Sequence, residues 1–456
     1  MNLKNKKIAV LGLGIEGEDV CRYLISQGVK DITVFDQKTA EELEEKIKEL
    51  RINGLTNYEL GPNYLKGGLR EFDIIFRSPA FRLSLPEIVE AKNSGAIITS
   101  ATKLFFDLCP AKIIGVTGTK GKGTTSTLIY EILKKAGKKV FLAGNIGEPM
   151  LALLPKLDKK SWVVLELSSF QLQDLEKSPH IAVVLFITSE HLDYHSSTEE
   201  YVQAKANLVR WQKKSDFAVL NADNQTSSSF VSLTPAKVYY FSREKKVNGA
   251  FVREGQIYLF EKLVGPTSKL QILGIHNWEN ICAACTASFL AGADLNSIKK
   301  VVFSFKGLEH RLEFVREIEG VKFYNDSFST TPETTIAAIR DFSQPIILIA
   351  GGSEKGSDYT QLGKEISQSK VKTLILIGKT AQKIKKIVQK EGFRGRIIYK
   401  PGGMKEIVKR AFDEAKKGDV VLLSPACASF DMFKNYKDRG EQFKKYVWKI
   451  QEKSRS

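Results

Sequence analysis

The chain has 456 residues, 43% of them hydrophobic and 27% charged, which is ordinary for globular domains and leaves room for two to four of them at about 100–200 residues each. No apolar run approaches the roughly 18–20 residues of a spanning helix. No small-residue cleavage site follows Met1-Asn2-Leu3-Lys4, and five scattered cysteines make no disulfide framework. Stable membrane insertion and secretion are therefore not expected, and a cytoplasmic protein is. The net charge of +17 fits anionic partners such as nucleotide phosphates. No nucleic-acid-binding motif accompanies it, so small-molecule partners are expected, and the Lys-rich C-terminus reads as a solvated face.

Apolar, β-rich runs alternate with helix-like segments along the whole chain, and each run ends in Gly, Ser or Asp. That alternation predicts an α/β chain of parallel sheets with crossover helices, whose ligand sites lie at the carboxyl ends of strands. Three blocks are expected, at 1–100, 101–311 and 312–456. In the first, the run Ile8–Leu11 leads into Gly12-Leu-Gly-Ile-Glu-Gly, and Asp36 closes the run at 32–35. Alone, this is a dinucleotide fingerprint, with glycines for a tight turn and a helix start that favours a diphosphate. Ser78 and Pro79 follow a further strand and line the same cleft.

The second block opens on Ile113-Ile-Gly-Val-Thr-Gly-Thr-Lys-Gly-Lys-Gly-Thr-Thr, a buried strand, a glycine turn and a helix starting near Thr124. Gly118, Gly121 and Gly123 let backbone N–H groups approach phosphate oxygens, with Thr119 and Lys120 in the same turn. Lys122 reaches the outer phosphates. Val116 stands where a strict phosphate loop has Gly, and Gly123 where it has Ser or Thr. Thr124, followed by Thr125, is then the hydroxyl for Mg2+. Glu166 ends the run at 162–165, beside the loop, where a carboxylate is placed to hold Mg2+. His191 follows the run at 182–187. Lys205 lies in a helical pattern, one lysine among many. His276, Asn277 and Asn280 stand at a helix start, where a cap and a ligand contact both fit. Cys282 and Cys285 form a CxxC in an apolar helical stretch without a second Cys or His pair, and read as buried helix.

Thr117-Gly-Thr-Lys-Gly-Lys-Gly-Thr-Thr resembles the ATP loop of Mur ligases and of folylpolyglutamate synthetases. Further segments follow in the Mur ligase order: Gly144-Asn-Ile-Gly, Glu166-Leu-Ser-Ser-Phe-Gln-Leu, Glu190-His-Leu-Asp, Tyr201-Val-Gln-Ala-Lys, Asn221-Ala-Asp-Asn, Gly274-Ile-His-Asn-Trp-Glu-Asn, Gly307-Leu-Glu-His-Arg-Leu-Glu, Asn325-Asp-Ser, Gly351-Gly-Ser-Glu-Lys-Gly and Leu423-Ser-Pro-Ala-Cys-Ala-Ser-Phe-Asp-Met-Phe. The resemblance spans nearly the whole chain. The segments at 166–172 and 423–433 are similar to the D-glutamate-adding branch, and the D-N-P-R motif of the diamino-acid-adding members is absent from the sequence.

The resemblance implies three domains, each a mostly parallel sheet with flanking helices: Rossmann-like for UDP, P-loop ATPase-like for ATP, and Rossmann-like for the amino acid. It implies a monomer that joins D-glutamate to UDP-N-acetylmuramoyl-L-alanine with ATP, through an acyl phosphate, in peptidoglycan precursor synthesis. Lys122, Glu166, His191 and Lys205 would be catalytic. Two Mg2+ ions would be held by Thr124, Glu166, His191 and Lys205, the last as a CO2-derived carbamate. Asp193 would orient the His191 ring, and His195 would be a surface residue. ATP would meet 118–125, Asn280 near the adenine, Arg311, and Asp326 at the ribose. Gly14, Ile15, Glu16, Asp36 and Ser78 would hold the UDP part, and Asn145, Ser168 and Gln171 the nucleotide-sugar peptide. Lys355 would bind the carboxylate of the incoming amino acid, with Ser424 and Phe430 completing its pocket.

The chain departs from the family pattern at three places. Glu190 stands before His191 where Asp or Asn is usual, Ala80 follows Ser78-Pro79 where Gly is usual, and Phe328 replaces a lysine assigned to the amino-acid substrate. The last leaves D- against L-glutamate, or another amino acid, open. An NAD(P)-dependent oxidoreductase, read from 12–17 alone, leaves the phosphate loop unexplained. A basic ATP-driven nucleic-acid-binding protein predicts ATP hydrolysis stimulated by DNA or RNA and steeply dependent on salt.

Overall fold

The computed structural model describes residues 3–55, 57–188, 197–354 and 356–451. The chain falls into two compact units, Met1–Leu270 with Ile275–Ser304, and Gln271–Gly274 with Phe305–Ser456. The segment 305–311, which the sequence places with the central block, thus packs with the C-terminal unit.

The first unit holds two parallel sheets. The N-terminal one has β1 (Ile8–Leu11), β2 (Ile32–Asp36), β3 (Asn57–Leu60), β4 (Ile74–Arg77) and β5 (Ile97–Thr99), in the order β3-β2-β1-β4-β5. β1 is apolar without alternation because both of its faces are covered. Ile8 and Val10 pack with Val20 and Leu24 of the helix Ile15–Ser26, while Ala9 and Leu11 pack with Ile88 and Ala91 on the other side. The sheet order reverses between β1 and β4, which opens a crevice beyond the carboxyl end of β1.

The central sheet has β6 (Lys112–Thr117), β7 (Val140–Gly144), β8 (Trp162–Glu166), β9 (Ile181–Val184), β10 (Phe217–Asn221) and β11 (Lys237–Phe241), in the order β11-β10-β9-β6-β8-β7. Leu24, Phe105, Met150, Leu153 and Val163 belong to one apolar cluster, so the two sheets share a core. A buried Asp19 completes the joint. Its carboxylate accepts from Leu151 N (2.8 Å) and Ala152 N (3.0 Å) at the start of the short helix Met150–Leu153. The helix His276–Leu290 packs on the helix Lys122–Lys135. It buries Cys282 and Cys285 as free thiols, and burial pushes the Cys285 thiol up to about 12, which suits a structural rather than a reactive role.

A three-stranded antiparallel sheet, β12 (Ala250–Arg253), β13 (Gln256–Leu259) and β14 (Lys262–Pro266), was not foreseen from the sequence. Its first hairpin turns at Glu254 (φ 50°) and Gly255 (φ 68°). Two successive positive φ values match the twist of a tight hairpin.

The second unit holds β15 (Glu313–Ile318), β16 (Val321–Asn325), β17 (Ile346–Gly351), β18 (Val371–Ile377), β19 (Arg396–Tyr399) and β20 (Val420–Leu423), in the order β15-β16-β20-β17-β18-β19. Only β15 runs antiparallel to its neighbour. Ile346, Leu348 and Ala350 face one apolar layer, and Ile347 and Ile349 the other. Among the described residues no helix is long and apolar enough to cross a membrane.

Candidate active site

The phosphate-loop segment leaves β6 at Thr117 and becomes helical at Lys122, two residues before the expected start. Gly121 has a φ of 86°, and a Cβ there would collide with the Asn280 side chain. Asn280 is held in turn, its Nδ2 donating to Asn277 Oδ1 (2.8 Å), and Thr125 Oγ1 donates to its Oδ1 (3.4 Å). In this structure the Asn277–Asn280 pair therefore buttresses the loop. Thr119 sews the loop to the end of the β9 connection: its Oγ1 donates to Thr188 O (3.1 Å), accepts from Thr188 N (3.0 Å) and lies 3.0 Å from Tyr201 Oη. Lys120 is exposed and Thr124 and Thr125 are buried in the first helical turn, with Gly123. A glycine turn without room for Cβ atoms, opening onto the N-terminus of a 14-residue helix, suits a polyphosphate.

Two lysines converge on this turn. Lys122 Nζ donates to Gly118 O (2.9 Å) and Thr119 O (3.0 Å). Lys205, 1% exposed on the helix Thr198–Arg210, donates from Nζ to the same Gly118 O (2.9 Å) and lies over the Tyr201 ring. Glu166 ends β8, whose register places it beside Val116 of β6. Its carbonyl receives Asn145 N (3.1 Å), and the turn before it needs Gly144 (φ 99°), where a Cβ would collide with Glu166 O. Asn145 itself is exposed. The Thr124 hydroxyl and Glu166 carboxylate are hard oxygen donors of the kind Mg2+ takes. Glu190, His191, Asp193, His195 and Lys355 lie outside the described residues.

A cavity of about 1210 Å³ opens at the carboxyl ends of β1, β2 and β4, lined by Gly12, Gly14, Ile15, Glu16, Asp36 and Ser78. Gly17 is demanded by close approach, since a Cβ would collide with Gly12 O. Asp36 spends both carboxylate oxygens on the turn, accepting from Leu13 N (2.7 Å) and Lys38 N (2.9 Å), so it braces the crevice wall. Ser78 Oγ donates to Gly12 O (3.2 Å). Glu16 Oε1 accepts from Gln171 Nε2 (2.6 Å), and Gln171 Oε1 accepts from Ser168 N (2.9 Å). Three candidates from two sheets thus form one chain. Burial pushes the Glu16 carboxyl up to about 7, against the opposing effects of the Gln171 hydrogen bond and the Arg77 charge.

Arg77 was missed from the sequence. Its buried guanidinium donates to Phe81 O (2.8 Å), Phe170 O (3.2 Å) and Asp174 Oδ1 (3.0 Å), tying the Ser78 turn to the segment that carries Gln171. The one signal available was an arginine closing an apolar strand immediately before Ser78-Pro79.

In the C-terminal unit, Asp326 follows β16. Its Oδ1 accepts from Leu312 N (3.1 Å) and its Oδ2 from Ser424 Oγ (2.7 Å). Ser424 is buried with its hydroxyl turned to Asp326 and Thr335, whereas Phe430 is 68% exposed. Arg311 stacks on Phe328. Arg439 was also missed: fully buried, it donates to Ser327 and Cys427 and joins the two loops that carry Asp326 and Ser424.

Burial pushes the Asp326 carboxyl up to about 6, from an ordinary value of 3.8, despite hydrogen bonds from Ser329, Ser424 and Leu312. A raised acid favours the folded state below its unfolded value and loses that contribution as pH rises through the folded one. Asp326→Asn removes the titration. Its stability relative to the parent is expected to rise between pH 4 and 7, by up to about 3 kcal/mol. Parallel melting curves for the two proteins across that range would contradict the desolvation account.

Three family models match consecutive parts of the chain: a MurD-like N-terminal domain of Mur ligases over residues 6–100, the Mur ligase middle domain over 116–288, and the Mur ligase glutamate ligase domain over 310–427. The chain belongs to the Mur ligase family. Among its relatives, the UDP-N-acetylmuramoylalanine--D-glutamate ligase of Acetivibrio thermocellus is 45% identical over 459 residues, covering 98% of this chain and 97% of the relative. The ligase of the same name from Symbiobacterium thermophilum is 44% identical, covering 97% and 98%. Among solved structures, the UDP-N-acetylmuramate-alanine ligase of Thermotoga maritima superposes with a TM-score of 0.59 at 17% identity, covering 98% of this chain and 99% of that one. A MurF ligase of the same organism, in complex with ADP, gives 0.55 at 19%, covering 92% and 95%. At those identities the two structures establish the Mur ligase fold.

Proposed function

We propose that this Mur ligase uses ATP to add D-glutamate to UDP-N-acetylmuramoyl-L-alanine in peptidoglycan precursor synthesis. The reading is carried by the relatives of that name, 45% and 44% identical over nearly their full lengths. Its substrates are small molecules, and ATP with a nucleotide-linked acceptor assigns the reaction to the cytoplasm.

A carboxylate is a poor acyl donor at neutral pH. In the reaction proposed, an oxygen of the terminal alanine carboxylate attacks the γ-phosphorus of ATP and ADP leaves. The glutamate nitrogen then attacks the acyl phosphate carbonyl, loses a proton, and phosphate leaves. Little covalent work falls to the protein, which must position the groups and neutralise phosphoryl charge. Backbone N–H groups of 118–123 and the helix start hold the polyphosphate, and Lys122 swings from its own loop carbonyls to the outer phosphates. The N-terminal cavity receives the UDP part, with the start of the helix Ile15–Ser26 at the diphosphate. Arg311 and Asp326 serve ATP, and Lys355, Ser424 and Phe430 the amino acid. Thr124, Glu166, His191 and Lys205 would hold Mg2+, which would supply charge neutralisation on the phosphates.

Lys205 is read as a carbamate. Lys122 and Lys205 both donate to one carbonyl, Gly118 O, so a change of charge at Lys205 acts beside Lys122. Adding CO2 to the neutral amine of Lys205, with loss of a proton, would place an anionic group there and create an oxygen ligand for Mg2+.

Phosphate release with ATP, Mg2+ and UDP-N-acetylmuramoyl-L-alanine is expected with D-glutamate, and at least tenfold more slowly with L-glutamate. Release only with L-glutamate or another amino acid would reassign the substrate. Release with no amino acid, or only with polynucleotide, would sink the reading.

A further inference from the structure

Phe328 stands where the family pattern has a lysine assigned to the amino-acid substrate. Its ring is 38% exposed and lies under Arg311, whose guanidinium carbon is 4.0 Å from the ring centroid. Tyr436 meets the same ring edge-on, at 5.1 Å and 87°. The backbone enforces the stack: Phe328 N donates to His310 O (2.9 Å) and Leu312 N to Asp326 Oδ1 (3.1 Å), so 310–312 and 326–328 run locked together. Both neighbours of Arg311 are in the left-handed region, His310 at φ 64° and Leu312 at φ 43°. A non-glycine residue there is strained, and two flanking one arginine mark a side chain whose direction is imposed.

We infer that Phe328 is a positioning residue for Arg311, so that the position assigned to the amino acid in the family acts on the nucleotide in this chain. A guanidinium carries all its N–H donors at its edge. A ring face 4.0 Å from the guanidinium carbon holds the guanidinium by its face and restrains the direction of its donor-bearing edge, which a lysine at 328 could not do. The inference rests on the reading of Arg311 as an ATP contact.

The test compares Phe328→Leu, which keeps apolar bulk without an aromatic face, with Phe328→Tyr, which keeps the face. Steady-state kinetics give KM for ATP and for glutamate separately. Phe328→Leu is expected to lower kcat/KM for ATP about 3–30-fold, with KM for glutamate within about twofold of the parent, and Phe328→Tyr to restore ATP kinetics to within about twofold. A rise in KM for glutamate instead would return the position to the amino-acid site. Equal losses in both variants would make the ring mere packing, and parental kinetics in Phe328→Leu would remove any role; each overturns the inference. If the parent protein releases no phosphate with either glutamate, the ligase reading fails by itself. Equilibrium binding of a non-hydrolysable ATP analogue to parent and Phe328→Leu then still decides whether the stack serves the nucleotide.

Discussion

Lys205→Ala is expected to lower glutamate-dependent phosphate release by about 10²–10³-fold, the range seen when one preorganised charge-stabilising group is lost, and added acetate or formate is expected to restore part of it. Lys205 is 1% exposed in the middle of a helix, with its amine delivered to the first glycine of the phosphate loop. A buried lysine that only filled space would be a costly choice, since an ammonium out of water needs compensation. As a carbamate it would offer an oxygen ligand from a side chain long enough to reach the loop. A small carboxylate can occupy the space vacated in the alanine variant and supply the same oxygens. The alanine variant is expected to remain folded, because the helix keeps its buried Tyr201, Leu208 and Val209. Parental activity in Lys205→Ala would dismiss the residue from catalysis. A large loss with no recovery at any carboxylate concentration would leave a catalytic lysine and dispose of the carbamate.

The alternation of apolar runs and helix signals was enough to read the parallel sheets, since strands buried on both faces leave near-continuous Val, Ile and Leu. β1 and β20 fall where the sequence puts them, while β9 ends at Val184 because the chain from 185 to 188 is already bonded to the phosphate loop through Thr117, Thr119 and Thr188. The β12–β14 sheet escaped notice because its runs are four or five residues long and its turn residues are Glu and Gly rather than the common Asn-Gly pair. The glycine-rich loops were legible because backbone geometry restricts the residue type. Asp36 was legible as a strand-end acid on the crevice, whereas the bonds its carboxylate also accepts from two backbone N–H groups of the turn were not. Spacing marks the end of a strand but not the direction in which a side chain finds its partners. Arg77 and Arg439 were illegible for the same reason: a buried guanidinium is defined by carbonyls brought to it from elsewhere, and those of Phe170 and Ser327 lie 93 and 112 residues away in sequence.

Arg439 carries the second large effect. Its side chain is fully buried and each of its three nitrogens donates to an acceptor, Nε to Ser327 Oγ (2.9 Å), Nη2 to Ser327 O (2.8 Å) and Nη1 to Cys427 O (3.1 Å). Burial depresses its pKa to about 10, partly offset by Cys427, Asp431 and Asp326, so the arginine remains charged at neutral pH. Arg439→Ala leaves two backbone carbonyls and a hydroxyl without these donors, opens a cavity, and removes a buried cation. Losing one member of a buried charged network costs about 3–5 kcal/mol, which is the destabilisation expected in denaturant unfolding of the C-terminal unit. Arg439→Lys keeps the charge but offers one point donor in place of a planar fork, and is expected to recover less than half of the loss. Because the bonded partners belong to the loops 326–329 and 424–428, activity is expected to fall in the lysine variant even at temperatures where it is fully folded. A lysine variant with parental kinetics and a destabilisation under about 1 kcal/mol would mean that the fork is dispensable and that the two loops hold their geometry without it.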